Sequence, residues 1–170
     1  MEQEQERSVE RDGKQVVVFK LKEEEFGIDI YVVREVLKLM PITALPNSDK
    51  FIEGVINIRG AVIPVIDLCK RFGLSQERTG DTRIIIVEID GEQIGLIVDE
   101  VSEVLRIAGE EIQPPPSRLA GTHSELLEGV ARCDERLIIL LEVENLLSSE
   151  EMLDLEGIKQ SRVTQEQATE

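Results

Sequence analysis

The 170-residue chain has no tryptophan, one histidine and two cysteines, and only 3% of its residues are aromatic. An interior with so few rings must be built from Val, Ile and Leu, which favours strands. Basic residues are scarce too: 19 Lys and Arg against 35 Asp and Glu leave a net charge of −16. That charge repels phosphate backbones and argues against a nucleic-acid role. No polybasic patch is present to hold a membrane surface, and no apolar run approaches the ~20 residues of a spanning helix. The first residues, Met1-Glu-Gln-Glu-Gln-Glu-Arg7, lack the apolar stretch of a signal peptide, so a cytoplasmic protein is expected. With 41% hydrophobic residues the chain can hold one domain or two small ones.

Catalytic sets are missing as well. Cys69 and Cys133 are far apart and have no CxxC partner, so two reduced, packing cysteines are expected. His123 stands alone in a polar loop and reads as solvated. No Gly-rich loop follows a strand in a dinucleotide or phosphate-binding pattern, and no Ser, Cys or Thr has a plausible base. The acidic runs Glu23–Glu25, Glu110-Glu111 and Glu150-Glu151 read as solvated turns or helix starts, and none has calcium-loop spacing. A non-enzymatic binding module without cofactor or metal follows. The rival from another class is a β-barrel enzyme using scattered carboxylates, which needs a deep pocket of converging acids.

What the chain does contain is centred on Phe51-Ile-Glu-Gly-Val-Ile-Asn-Ile-Arg-Gly-Ala-Val-Ile-Pro-Val-Ile-Asp67. Two short β-branched runs, Val55–Ile58 and Ala61–Ile66, meet at Arg59-Gly60, which predicts a tight hairpin. Asp67 is placed to N-cap a short helix, Leu68–Phe72, which Gly73 stops. Upstream, Val16–Leu21 and Phe26–Ile30 read as strands around a charged turn at Lys22–Glu25. Tyr31–Glu35 reads as a helical turn, and Val36–Met40 and Ile42–Leu45 as extended segments. Downstream, Thr82–Ile89 and Gln93–Val98 flank the hairpin signal Asp90-Gly91. Val101–Ile107 is a further apolar element, followed by a loop from Gln113-Pro-Pro-Pro116 to Glu125. Val130–Cys133 and Leu137–Val143 form a late hairpin around Asp134–Arg136, and Ser148–Glu151 caps a helix through Leu155.

The chain also repeats itself. Phe26–Leu37 aligns with Ile94–Leu105 at an offset of 68 residues, and Ile52-Glu-Gly-Val55 aligns with Leu127-Glu-Gly-Val130 at an offset of 75. The extra residues fit most simply into the Pro-rich loop, since loop insertions cost little. Each half offers about five short strands, enough for a small barrel that closes its own edges. The expected organisation is a charged, disordered tail at 1–14, a first barrel at 15–80, a second at 81–156 and a frayed tail at 157–170. Exchange of strands between the barrels stays open. Two such barrels bury apolar surface between them, and that junction is where a groove forms. Glu-Gly-Val recurs and is therefore first of all architectural. Asn57-Ile-Arg-Gly60 does not recur, its counterpart being Arg132-Cys-Asp-Glu135, which marks Arg59 as a contact residue.

The central segment through Leu68, followed by Arg71-Phe-Gly73, closely resembles the signature of CheW-type chemotaxis coupling proteins. So do Phe26–Ile30, Ile97–Leu105, the Gln113-Pro-Pro-Pro run and Leu146–Met152, and the resemblance extends from about Gln15 to Leu155. Departures are mild: Ile58 stands where Leu is usual, and Cys69-Lys70 where another pair would be unremarkable. The resemblance implies a mainly β, non-catalytic adaptor of two five-stranded SH3-like barrels with short helices after the late hairpins. It implies that the adaptor links the cytoplasmic hairpin tip of chemoreceptors to the regulatory domain of the chemotaxis histidine kinase. It also implies a cytoplasmic protein associated with membrane-bound receptor arrays. By motif position, the receptor contact falls to Ile30, Val33, Val36, Val98, Val101 and Val104, with Asn57 and Arg59 at its edge. The kinase face falls to Glu35, Ile42, Glu53 and Gly54. The alternatives within this architecture are the adaptor part of a coupler–receiver protein or an isolated kinase regulatory domain. The chain shows no receiver-like βαβ pattern, so a free-standing coupler is expected.

Overall fold

The computed structural model describes residues 13–46, 52–75, 77–115 and 126–146. His123, the helix expected at Ser148–Leu155 and nearly all of both charged tails lie outside them. Eleven strands, one α-helical turn and three 3₁₀ turns are present among the described residues. The strands and the α-helical turn are β1 (Lys14–Leu21), β2 (Glu24–Asp29), β3 (Val33–Lys38), β4 (Ile52–Ile58), β5 (Ala61–Asp67), α1 (Leu68–Arg71), β6 (Arg83–Ile89), β7 (Glu92–Val98), β8 (Glu100–Ile107), β9 (Ile112–Gln113), β10 (Leu127–Cys133) and β11 (Arg136–Leu141). One sheet runs β8-β1-β2-β11-β10-β9 and the other β3-β6-β7-β5-β4. These are the two SH3-like β-barrels.

Four tight hairpins organise the strands, and a residue with positive φ begins each turn: Lys22, Arg59, Asp90 and Asp134. Arg59-Gly60 and Asp90-Gly91 are positive at both turn positions, the geometry that matches strand twist. The other two turns are tighter than expected. Glu24 and Glu25 already belong to β2, and Arg136 already belongs to β11. At Tyr31–Glu35 the helical turn is a 3₁₀ turn limited to Ile30–Val32, after which the chain is extended. Strand pairing with β6 overrides the short helical spacing there. Asp67 caps α1 as its position requires, Oδ1 accepting from the Lys70 amide at 3.1 Å. Its Oδ2 is buried without a partner, and burial pushes the carboxyl above its ordinary pKa.

Sheet membership does not follow a cut at residues 80 and 81. The β1–β2 hairpin pairs with β8 and β11, whereas β6–β7 pairs with β3 and β5. Each half thus lends its first hairpin to the barrel of the other half. The parallel contacts β2–β11 and β5–β7 are the seams of this exchange. The duplication is visible in the packing: Gly27 lies against Leu140, Ile138 and Val16, and Gly95 lies against Val65, Ile84 and Ile86. The recurring Glu-Gly-Val has the same explanation in both barrels. A Cβ on Gly54 would come within 2.0 Å of the Thr43 carbonyl oxygen, and one on Gly129 within 2.7 Å of that of Gln113. Here a crossing segment closes the barrel, Thr43 and Val55 exchanging two main-chain bonds of 2.9 Å.

Alternation along the strands divides the apolar side chains into three layers. Ile56, Ile63, Val65, Ile84 and Ile86 fill one barrel, and Val16, Val18, Ile107, Ile138 and Leu140 fill the other. The intervening residues Val17, Phe19, Leu21, Ile85, Val87 and Ile89 face the junction. Three of the chain's few rings meet in this layer. Phe19 stacks on Phe26 at 5.9 Å, and Phe26 lies 5.6 Å from Phe72, which follows α1.

Gly54→Ala is expected to destabilise the fold by about 3 kcal/mol, since φ is +147° and backbone fills the space. Gly60→Ala, at φ +87° with nothing within 4 Å, should cost only about 1 kcal/mol of αL strain. Urea unfolding of the two variants checks the contrast.

Candidate functional site

The junction layer reaches the surface along β3 and β8, one end strand of each sheet order. Directly opposed residues project to the same face of a sheet. Val36 is opposite Ile85, and Val104 is opposite Val17. Both partners are buried in the junction layer, so both valines stand on the faces that the barrels turn toward each other. Yet Val36 is 42% exposed and Val104 55% exposed. Ile30, Val33 and Val101 are half-buried and pack against the same layer, and Val98 is fully buried within it. The expected groove residues therefore fall into exposed margins, half-buried walls and a floor that no partner touches.

Asn57 and Arg59 lie on the β4–β5 hairpin. The Asn57 side-chain oxygen accepts from the Gly60 amide at 3.0 Å, so this residue fastens the turn. Arg59 reaches across the barrel to Glu35 on β3, Nη2 to Oε2 at 2.5 Å, and the carboxylate raises the guanidinium's already high pKa. Arg59 remains 73% exposed. Of the other residues expected on the kinase side, Ile42 packs half-buried on the barrel interior. Glu53 is only 15% exposed and takes Lys70 on one oxygen and Arg78 on the other. Gly54 is buried beneath the Thr43 crossing, so its place in the motif is set by closure of the barrel. The structure thus brings Glu35, Asn57 and Arg59 together at one corner, and Glu53 and Gly54 at another part of the same barrel.

The repeat conceals a second arginine corner. Glu103 is the counterpart of Glu35 at the same offset of 68, and Arg136 binds it at 3.2 Å. Arg136 also holds Glu25 through Nε at 3.1 Å and Nη2 at 2.9 Å. An acid–arginine pair therefore recurs in both barrels, its arginine two residues later in the second. Non-recurrence of Arg59, a sequence argument for a contact role, is corrected by this geometry; exposure is the argument that remains. Sequence reasoning also passed over Tyr31, which is 77% exposed on the crossing from β2 to β3. The available signal was an aromatic residue in a chain that has few.

Acidic groups converge at one place, a cleft lined by Asp29, Glu128, Glu142 and Glu144 around Lys14. Lys14 forms an ion pair with Glu128 there. Burial lowers the pKa of this lysine, while Asp29 and Glu142 oppose the shift. Four carboxylates and one lysine leave the cleft negative, and no Ser, Thr, Cys or His is among its lining residues. Cys69 is buried, and burial foremost, then Asp99 nearby, pushes its thiol up to about 12. Among the described residues no helix is long and apolar enough to cross a membrane.

Because its hydrogen bond to Arg136 outweighs partial burial, Glu25 titrates below its ordinary pKa. Its contribution to stability is present above the unfolded-state pKa and is lost as pH falls through the lower folded value. Glu25→Gln should remove that part of the acid dependence, as read by urea midpoints across the acidic range. Arg59→Ala should leave the unfolding midpoint within about 2 °C, since an exposed ion pair adds little.

Residues 15–151 match the family model described as a CheW-like domain. The chain is 37% identical over 152 residues to the chemotaxis protein CheW of Klebsiella aerogenes, covering 88% of this chain and 90% of that one. To CheW of Treponema pallidum it is 33% identical over 149 residues, covering 85% and 88%. The crystal structure of the scaffolding protein TtCheW from Thermoanaerobacter tengcongensis superposes with a TM-score of 0.76 at 46% identity, covering 82% of this chain and 95% of that one. The chain belongs to the CheW-like family and is a non-catalytic adaptor of chemotaxis signalling.

Proposed function

We propose that this adaptor couples the cytoplasmic hairpin tips of chemoreceptors to the regulatory domain of the chemotaxis histidine kinase, within receptor arrays at the membrane. The observation that carries the reading is the pair of exposed valines, Val36 and Val104, on the facing sides of two barrels. They flank half-buried Ile30, Val33 and Val101, with Val98 as the floor. An apolar groove of this kind accepts the apolar face of a helix, which is what a receptor hairpin presents. Asn57 and Arg59 stand at the corner beside it, and the charge of −16 discourages nonspecific association. The kinase domain takes the other side of the first-half hairpin, around Glu35, Ile42, Glu53 and Gly54. Glu35 and Arg59 are bonded to each other, so the corner joins the two faces.

A pull-down with a receptor cytoplasmic fragment and the kinase regulatory domain should retain both at once. Loss of either, with the protein folded, would sink the coupling reading. A Val36→Asp, Val104→Asp double variant should weaken the receptor fragment's Kd by about a hundredfold, as for two buried anchors at an interface, and leave the kinase domain bound. Arg59→Ala should weaken partner binding without unfolding the chain.

A further inference from the structure

The chain crosses between the barrels twice at equivalent positions of the repeat, and the two crossings are built differently. From β7 to β8 the connection is the single residue Asp99. Its amide donates to the Lys20 carbonyl at 3.0 Å. Its Oδ2 accepts from the Lys22 amide at 2.6 Å, and its Oδ1 accepts from the Cys69 thiol at 3.6 Å. One half-buried carboxylate therefore touches the β1–β2 turn of one barrel and helix α1 of the other. Lys22 is a non-glycine residue at φ +60°, held there by the strand pairing on both sides and further by this bond. Cys69 keeps its proton and remains a donor.

At the other crossing, 68 residues earlier, Tyr31 occupies the place of Asp99 and points its ring into solvent. Arg34 beside it reaches Glu88, the counterpart of Lys20, in a surface ion pair between the neighbouring strands β3 and β6 of one barrel, so it does not tie the two barrels together. A carboxylate accepting a main-chain amide in a half-buried place holds geometry better than an exposed pair of long side chains. Among the described residues no such carboxylate bridges the barrels at the β2–β3 crossing; a second tie, Arg71 Nε of α1 donating to the Leu146 carbonyl at 3.0 Å, is made at neither crossing.

We propose that Asp99 is a positioning residue for the inter-barrel groove. By clasping the β1–β2 turn and α1, it sets the angle between the barrels and hence where Val101 and Val104 stand relative to β3. The role in receptor binding rests on the groove reading above; the clasp itself does not. Asn at this position keeps an oxygen for the Lys22 amide and turns its NH2 toward the Cys69 sulfur, a weak acceptor, whereas Ala keeps neither contact.

The test uses the full chain, labelled with nitrogen-15, with residual dipolar couplings measured for the strand amides of both barrels. In the wild type and in Asp99→Asn one alignment tensor should fit both barrels; in Asp99→Ala each barrel should need its own. Binding of a receptor-tip fragment to Asp99→Ala should fall about tenfold, within the range of coupling between sites, while the kinase regulatory domain stays within about twofold. A single tensor with unchanged affinity in Asp99→Ala would overturn the proposal, as would Asp99→Asn behaving like Ala, or equal loss of both partners. If Asp99→Ala does not fold, Cys69→Ala carries the test: separate tensors support the clasp and a single tensor refutes it. Failure of the wild type to bind the receptor fragment would remove the coupling reading, and the tensors would still decide the clasp.

Discussion

Among the described residues, nineteen buried side chains lie in the layer between the two sheets, against seven and six within the individual barrels. At about 1.5–3 kcal/mol for each fully buried aliphatic or aromatic group, the shared layer outweighs either interior. Neither barrel could keep its strands in place with that layer exposed to water. The chain reinforces the dependence covalently by lending the first hairpin of each half to the other barrel. What is duplicated in sequence is thus not duplicated as two separable domains. The scarcity of aromatics fits the same picture, because three of the rings are spent at the junction.

Local chemistry made the hairpins legible and the exchange illegible. Arg59-Gly60 and Asp90-Gly91 announce their turns, since glycine takes positive φ freely. Lys22-Glu23 and Asp134-Glu135 carry no such mark, and both turns were drawn too long. There a lysine and an aspartate occupy the left-handed region, and strand pairing on both sides compels them. The partners of β2 and β5 are parallel strands far away in the chain, which no periodicity encodes. A duplicated sequence fits a pair of self-contained barrels and a pair with exchanged hairpins equally well, because every strand keeps its pattern in both.

The candidate site was legible in residue type and less so in depth. The family resemblance implied a contact surface on the valines of two matching segments; of these, Val33 and Val101 pack half-buried against the junction layer, and Val36 and Val104 are exposed. Their spacing could not tell Val98, fully buried, from Val104, largely open, because burial depends on which sheet ends at β8. The motif Glu53-Gly54, architectural by its recurrence and a kinase contact by resemblance, has a clear structural role. Its carboxylate is saturated by Lys70 and Arg78, and its glycine makes room for a crossing backbone. The second arginine corner escaped because an alignment without gaps put Asp134, not Arg136, opposite Arg59.

Strand exchange also bears on how an adaptor without chemistry can transmit a signal. Strand β3 ends one sheet, faces the groove, and continues into β2 of the other barrel through only three residues. Strand β8 ends the other sheet and continues into β7 through Asp99 alone. A partner that presses on either edge strand therefore acts at once on a strand in the interior of the opposite sheet. Packed layers resist small continuous deformation, so the movement open to such a molecule is a rotation of one barrel against the other. Such a rotation must turn about whatever contact is hardest to break. At one crossing a half-buried carboxylate takes the Lys22 amide of one barrel and the Cys69 thiol of the other; at the other crossing an open tyrosine stands in its place. The asymmetry gives the movement an axis that the duplicated sequence by itself does not.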